Sequence, residues 1–224
     1  MLPEAHRIAI SLPDSTAVSG LLLLPAAARA AYVLAHGAGA GITHPFMIGV
    51  AEQLASRGIA TLRYQFPYME KGGRRPDPPG IAHATVRAAV DEAVRRLPGM
   101  PLFAGGKSFG GRMTSQAQAE VPLAGIRGLV FLGFPLHPAK RPSLDRAVHL
   151  ANVRVPMLFL QGARDSLAEP HLVARVAAEL GSRATLMTFR DADHSFHVPA
   201  RTGRTDAQVL AGVCDAIAVW MLAR

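Results

Sequence analysis

The chain has 224 residues, half of them apolar and 18% charged, a balance that suits a folded core and excludes an intrinsically disordered protein. Twenty-four basic residues against 16 acidic ones leave a net charge of +8. The arginines are dispersed, without basic blocks interleaved with aromatics, so the charge is read as surface solubility and not as a nucleic-acid footprint.

One cysteine, Cys214, excludes an internal disulfide framework, and its apolar helical surroundings mark it as core. The opening "MLPEAHRIAISLPDS" lacks a basic segment followed by a long apolar one. No apolar run approaches the roughly 20 residues that span a bilayer. The expectation is a cytoplasmic protein of one domain over residues 1–224, monomer or homodimer, without membrane contact.

In chain order, "HRIAISLP" and "VSGLLLLP" predict a leading pair of strands joined by a turn. "AAYVLAHG" is continuously apolar and breaks into "HGAGAG", the pattern of a strand buried on both faces that ends in a glycine loop. A helix follows over about 44–57, with Pro45 suited to its first turn and Gly58 to its stop. Next come a strand "IATLRYQFPY", a charged Gly/Pro loop, and the helix "IAHATVRAAVDEAVRRL".

"MPLFAGG" is then a strand and the residues behind Ser108 a helix. "IRGLVFLGFPL" and "VPMLFLQGARD" are two more buried strands; a helix over about 169–180, a strand in "RATLMTFRDADH" and a C-terminal helix complete the chain. Strands alternating with helices predict an α/β fold, a mostly parallel sheet covered on both faces, with ligands bound at the carboxyl ends of the strands. No large lid fits between the elements; the longest candidate covers are the 69–80 loop and the 136–152 segment.

The chemistry centres on Gly106-Lys107-Ser108-Phe109-Gly110, which fits G-x-S-x-G between an apolar strand and a helix. Such a turn lifts a hydroxyl off the end of a strand, and its flanking small residues make room where backbones crowd. A serine hydroxyl is a weak nucleophile and needs a base, and the base an orienting acid. Asp165 follows Ser108 by 57 residues and His194 follows Asp165 by 29, the order Ser, acid, His. Two N–H donors are needed for an oxyanion: the backbone of Phe109, directly after the nucleophile, and Ala38 in "HGAGAG".

Competing assignments fit less well. His36 precedes Ser108 and is read as shaping the glycine loop; His197 is the rival base; Asp191 and Asp193 stand too near His194 in sequence to orient it. No His/Cys/Asp/Glu spacing suits a metal, and neither "HGAGAG" nor "GGKS" completes a phosphate-binding loop. Neither cofactor nor metal is expected. Phe66, Tyr68, Phe109, Phe134 and Phe196 sit near strand ends as candidate pocket walls, with burial in the core as the equal alternative. Lys71, Arg74 and Arg75 are read as a solvated face, with steering of carboxylate-bearing substrates as the alternative.

The segments "LAHGAGAGITHPFM", "RYQFPYMEKGGRRPDPP", "GGKSFGGRMTS", "GFPLHPAKRP", "LFLQGARD" and "DADHSFH" resemble the α/β-hydrolase superfamily, in its small, lidless dienelactone-hydrolase-like type. They are most similar to a subgroup that also includes a chromatin-complex subunit and testis-expressed proteins. The resemblance covers about residues 33–197 and implies Ser108, Asp165 and His194 as a triad. Dienelactone hydrolases proper use a cysteine where this chain has Ser108. The implied function is a serine hydrolase acting on an ester or thioester of modest size; a non-catalytic, partner-binding hydrolase fold is the alternative.

Overall fold

The computed structural model describes residues 4–224. Eight strands, β1 (His6–Ser11), β2 (Ala17–Leu23), β3 (Ala30–Ala35), β4 (Ile59–Tyr64), β5 (Leu102–Lys107), β6 (Ile126–Leu132), β7 (Met157–Gly162) and β8 (Ala184–Phe189), form one sheet in the order β1-β2-β4-β3-β5-β6-β7-β8. β1 and β2 pair antiparallel, as do β2 and β4, and all later pairings are parallel. From β3 the chain first winds to β4 on one side and then to β5 on the other. That reversal leaves a crevice at the carboxyl ends of β3 and β5.

Helices α1 (Pro45–Ala55), α2 (Pro67–Glu70), α3 (Pro79–Arg96), α4 (Phe109–Glu120), α5 (Pro170–Leu180) and α6 (Asp206–Leu222) connect or close the strands. Because side chains alternate along a strand, β3 sends Tyr32 and Leu34 to one face and Ala31, Val33 and Ala35 to the other. The first face packs on Met47, Val50 and Leu54 of α1 and on Val213, Ile217 and Trp220 of α6; Cys214 is buried in this layer. The second face packs on α3, α4 and α5, with Val86, Val90, Met113 and Val176 among the contacts. Two apolar layers thus hold the inner strands, which explains their unbroken apolar runs.

Local signals set the boundaries. Pro45 opens α1, capped by His44, whose Nδ1 accepts from the Phe46 amide at 3.2 Å. Thr205 and Gln208 form a reciprocal capping box at the start of α6. The strand read in "IATLRYQFPY" ends earlier than expected, at Tyr64. Pro67 has no N–H for the ladder and becomes the first residue of α2 instead. Glu70 then ties α2 to β2 by accepting from the Ser19 amide and hydroxyl at 2.9 and 2.8 Å. The 136–152 segment ends in a 3-10 helix, Asp145–Asn152, that lies against α4.

Candidate active site

β5 runs straight into Ser108, whose φ of 48° and ψ of −112° lie outside the regions an ordinary residue prefers, and α4 begins at the next residue. Such a conformation costs about 1–3 kcal/mol and persists only where the surroundings enforce it. Here the Ser108 amide donates to Leu132 O at 3.1 Å, and Ser108 O accepts from the Arg112 amide at 3.1 Å. A Cβ on Gly106 would stand 2.2 Å from Ala35 O, and one on Gly110 would stand 2.5 Å from His36 O. The glycines exist because β3 and the turn are pressed together.

Ser108 Oγ lies 2.8 Å from His194 Nε2, and His194 Nδ1 lies 2.6 Å from Asp165 Oδ2. An ionised carboxylate can only accept, so the proton sits on Nδ1 and Nε2 is left to accept from the serine hydroxyl. Asp165 is buried and fully occupied: its Oδ2 also accepts from Gln161 Nε2 at 2.5 Å, and its Oδ1 from the Leu167 amide at 2.8 Å. Gln161 is itself oriented by accepting from the Phe134 amide at 3.0 Å. The rivals are engaged elsewhere. Asp193 Oδ1 accepts from the amides of Ser195 and His197, which shapes the turn that carries His194. His197 is exposed and pairs with Asp206 at 2.8 Å, a contact that raises its pKa.

The loop after β3 is splinted by the end of β4 and by α2. The Phe66 amide donates to His36 Nε2 at 3.1 Å, while His36 Nδ1 donates to Gly37 O at 2.8 Å. The Gly39 amide donates to Tyr68 Oη at 3.2 Å, the Ile42 amide to Gln65 Oε1 at 3.1 Å, and Arg63 Nη1 to Ile42 O at 2.8 Å. Ala38 sits in the middle of this loop, and its amide has no acceptor among the described residues. The amide of Phe109, in the first turn of α4, has no intrahelical acceptor either. Both are donors held in place without a partner.

His36 is completely buried, and burial pushes its pKa down to about 4. An unfolded chain takes up the proton near the ordinary value of about 6.5, whereas the fold refuses it until about 4, so acid favours unfolding across that window. The loss through His36 alone should reach on the order of 3 kcal/mol by pH 4 and be absent above pH 7. Urea unfolding at pH 7 and at pH 4.5 measures it. His36→Asn is expected to be less stable at pH 7 but to lose less on acidification.

A cavity of about 520 Å³ opens over Ser108. Ser108, His194 and the Gly37–Ala40 stretch line it, with Phe46 and Met47 of α1, Lys107, and Leu167. Asp165 stands behind His194, and the Phe109 ring turns inward against Phe66, 5.3 Å between centroids. Phe66, Tyr68, Phe134 and Phe196, expected as pocket walls, do not line the cavity. Phe66 is fully buried between Tyr64 and Phe109; Tyr68 is spent on holding Gly39; Phe134 packs on Phe131 and Phe159. Phe196 is the backing of a wall, stacked behind Phe46 at 6.0 Å. Rings at strand ends gain more by filling the layer between sheet and helices than by facing solvent. Lys71, Arg74 and Arg75 are exposed and lie outside the cavity lining.

The sequence profile of the alpha/beta hydrolase domain matches residues 28–222. The chain belongs to that family. Solved structures share the fold of this α/β-hydrolase from end to end. A dienelactone hydrolase from Anabaena variabilis is 22% identical with a TM-score of 0.78, over 100% of this chain and 99% of that one. An a/b serine hydrolase without a lid from Xanthomonas campestris is 20% identical with a TM-score of 0.76, over 97% and 95%. Est1E from Butyrivibrio proteoclasticus, solved with ferulic acid bound, is 16% identical with a TM-score of 0.73, over 97% and 100%.

Several residues of the α/β-hydrolase site escape a reading of the sequence. Phe46, Met47 and Leu167 look like core residues by spacing and no motif marks them as walls. Gln161 is one more polar residue at the end of an apolar strand. Lys107 occupies the variable position of G-x-S-x-G, where the pattern is silent. Among the described residues, no group of three or more His, Cys, Asp or Glu side chains is placed to hold a metal ion. Nor, among these residues, is any helix long and apolar enough to cross a membrane.

Proposed function

We propose that the protein is a serine hydrolase that cleaves carboxylic esters or thioesters of modest size. The observation that carries this reading is the hydrogen-bonded series Ser108, His194, Asp165, at 2.8 and 2.6 Å, opening on a cavity of about 520 Å³. Ser108 Oγ attacks the acyl carbon while His194 Nε2 takes its proton, and Asp165 stabilises the imidazolium that forms. The carbonyl oxygen becomes an oxyanion between the amides of Phe109 and Ala38. Collapse expels the alcohol or thiol with the proton from Nε2 and leaves an acyl-serine. Water, deprotonated by the same nitrogen, then attacks the acyl-serine, and the acid departs with Ser108 restored.

The walls support this substrate class. Phe46, Met47 and Leu167 are apolar, and the volume suits an acyl or alkyl group of a few to about ten heavy atoms. Est1E, a neighbour in fold, has an aromatic acid bound. The test is hydrolysis of p-nitrophenyl esters and acyl thioesters of increasing chain length. Short and medium chains should turn over, with a decline once the acyl group outgrows the cavity; folded protein that cleaves none of them would overturn the proposal.

A further inference from the structure

Lys107 is the residue immediately before the nucleophile and the last of β5, where it pairs with Leu132 of β6. Its Nζ donates to the main-chain O of His194 at 2.5 Å. The same Nζ lies 5.8 Å from the centroid of the Phe46 ring and 5.7 Å from that of Phe196. Gly133 keeps the space clear: a Cβ there would stand 3.0 Å from Lys107 Nζ, 3.2 Å from His194 O and 3.4 Å from His194 Cε1.

The segment carrying His194 lies beyond the last strand, so no ladder positions it. Its internal bonds, Asp193 N to His197 O and Phe196 N to Asp193 O, shape the turn, and the Arg164 amide holds Ala192 O to the end of β7 at 2.8 Å, but none of these reaches the strand of Ser108. Among the described residues, Lys107 Nζ to His194 O is the one hydrogen bond from the strand of the nucleophile to the backbone of that turn. An apolar side chain of equal length would pack against the two rings without any desolvation cost. What the ammonium adds is the bond to His194 O and its attraction to the two ring faces.

We propose that Lys107 is a positioning residue: its ammonium, resting on the rings of Phe46 and Phe196, clamps the His194 carbonyl and so holds the imidazole over Ser108. The proposal rests on the reading of His194 as the general base. A misplacement of a reacting group by about 1 Å can cost about 100-fold in rate, so a clamp of this kind has a measurable effect on turnover.

The charges around Lys107 make the clamp sensitive to alkali. Asp165 and Asp193 face it from the β7 end and from the histidine turn, with His194 itself alongside and His44 across the cavity. No carboxylate lies within salt-bridge distance among the described residues. Burial pushes the ammonium down to about 8, and the two aspartates only partly oppose this. Above that pH a neutral amine donates a weaker bond to the same carbonyl. Activity should therefore fall as the pH rises through about 8.

The experiment compares native protein with Lys107→Met and Lys107→Arg. It uses kcat and KM on a p-nitrophenyl ester from pH 6 to 10 and the downfield proton resonance of His194 Nδ1. In Lys107→Met, kcat should fall about 10- to 100-fold with KM little changed, the alkaline limb should vanish, and the Nδ1 proton should broaden by exchange. Lys107→Arg, whose guanidinium stays charged, should keep part of the activity and lose the limb. Native kcat, an unchanged limb and a sharp Nδ1 proton in folded Lys107→Met would overturn the clamp. Should Lys107→Met fail to fold, Lys107→Arg and the native resonance decide, and a native resonance indifferent to pH between 7 and 9 would also overturn it. The resonance reads the clamp without turnover, so a native protein inactive on all esters would count against the hydrolase reading and not against the clamp.

Discussion

Replacing Ser108 by alanine is expected to lower kcat/KM on any ester or thioester substrate by at least about 10⁴-fold, with the fold intact. The hydroxyl oxygen is the atom that forms the new bond, and although Ser195 also lines the cavity, among the described residues Ser108 carries the hydroxyl that is hydrogen-bonded to His194 Nε2. What survives should be the slow attack of water, helped by the amides of Phe109 and Ala38. Asp165→Asn separates the role of orientation from that of the nucleophile. The amide would present a donor where His194 Nδ1 needs an acceptor, reversing the tautomer and leaving Nε2 with the proton, and kcat should fall by about 10⁴-fold although every distance is preserved. Steady-state kinetics beside thermal melts of both variants check these values. A residual kcat/KM within tenfold of native in either variant would be inconsistent with the proposed chemistry.

The second large effect is on stability. Gly106→Ala would place a methyl group 2.2 Å from Ala35 O and 2.9 Å from both Ala35 C and Cβ, on a residue with φ of 150°. Neither neighbour is a flexible side chain that can swing away; both belong to β3 at the centre of the sheet. A loss of at least about 3 kcal/mol is expected, a drop of roughly 10 °C in Tm for a chain of this length, or failure to fold. Gly39→Ala is the control. Its φ is 73° but no atom lies within 4 Å of the added Cβ, so only the backbone penalty of about 1–2 kcal/mol applies. Equal melting temperatures for the two variants would show that crowding at the elbow is not what demands the glycine.

Much of the fold was legible because its signals are local and repeated. Uninterrupted apolar runs such as "AAYVLA" and "MLFLQG" can be satisfied only between two layers of helices, and Pro45 and Gly58 bracket the first helix where the chemistry of its ends requires. The end of β4 differs from the expectation because the Phe66 amide leaves the ladder to bond His36, and Pro67 then offers no N–H to resume it. At the site, the order of Ser108, Asp165 and His194 could be read because each sits just beyond a strand. The pocket walls could not. Whether Phe66 or Phe46 faces the cavity depends on which side of an element turns outward at its end, a property of packing that no spacing in the chain encodes.

The same limit explains Lys107 and Gln161. Each acts through contacts that no motif links, Lys107 with the His194 carbonyl 87 residues on, and Gln161 with the Asp165 carboxylate four residues on and the Phe134 amide 27 residues back. Motif reading attends to the groups that react and is blind to those that hold them. The glycine loop falls between these cases: "HGAGAG" announces a tight turn, but only the bonds from Phe66, Tyr68 and Gln65 reveal that "QFPY" is its splint.

The most direct test of the central claim is intact-protein mass spectrometry after treatment with a fluorophosphonate, on native protein, Ser108→Ala and His194→Ala. One adduct on Ser108 in the native protein, absent from Ser108→Ala and strongly slowed in His194→Ala, is the predicted result. Folded native protein that takes up no adduct, or that carries it on a residue other than Ser108, would contradict the account.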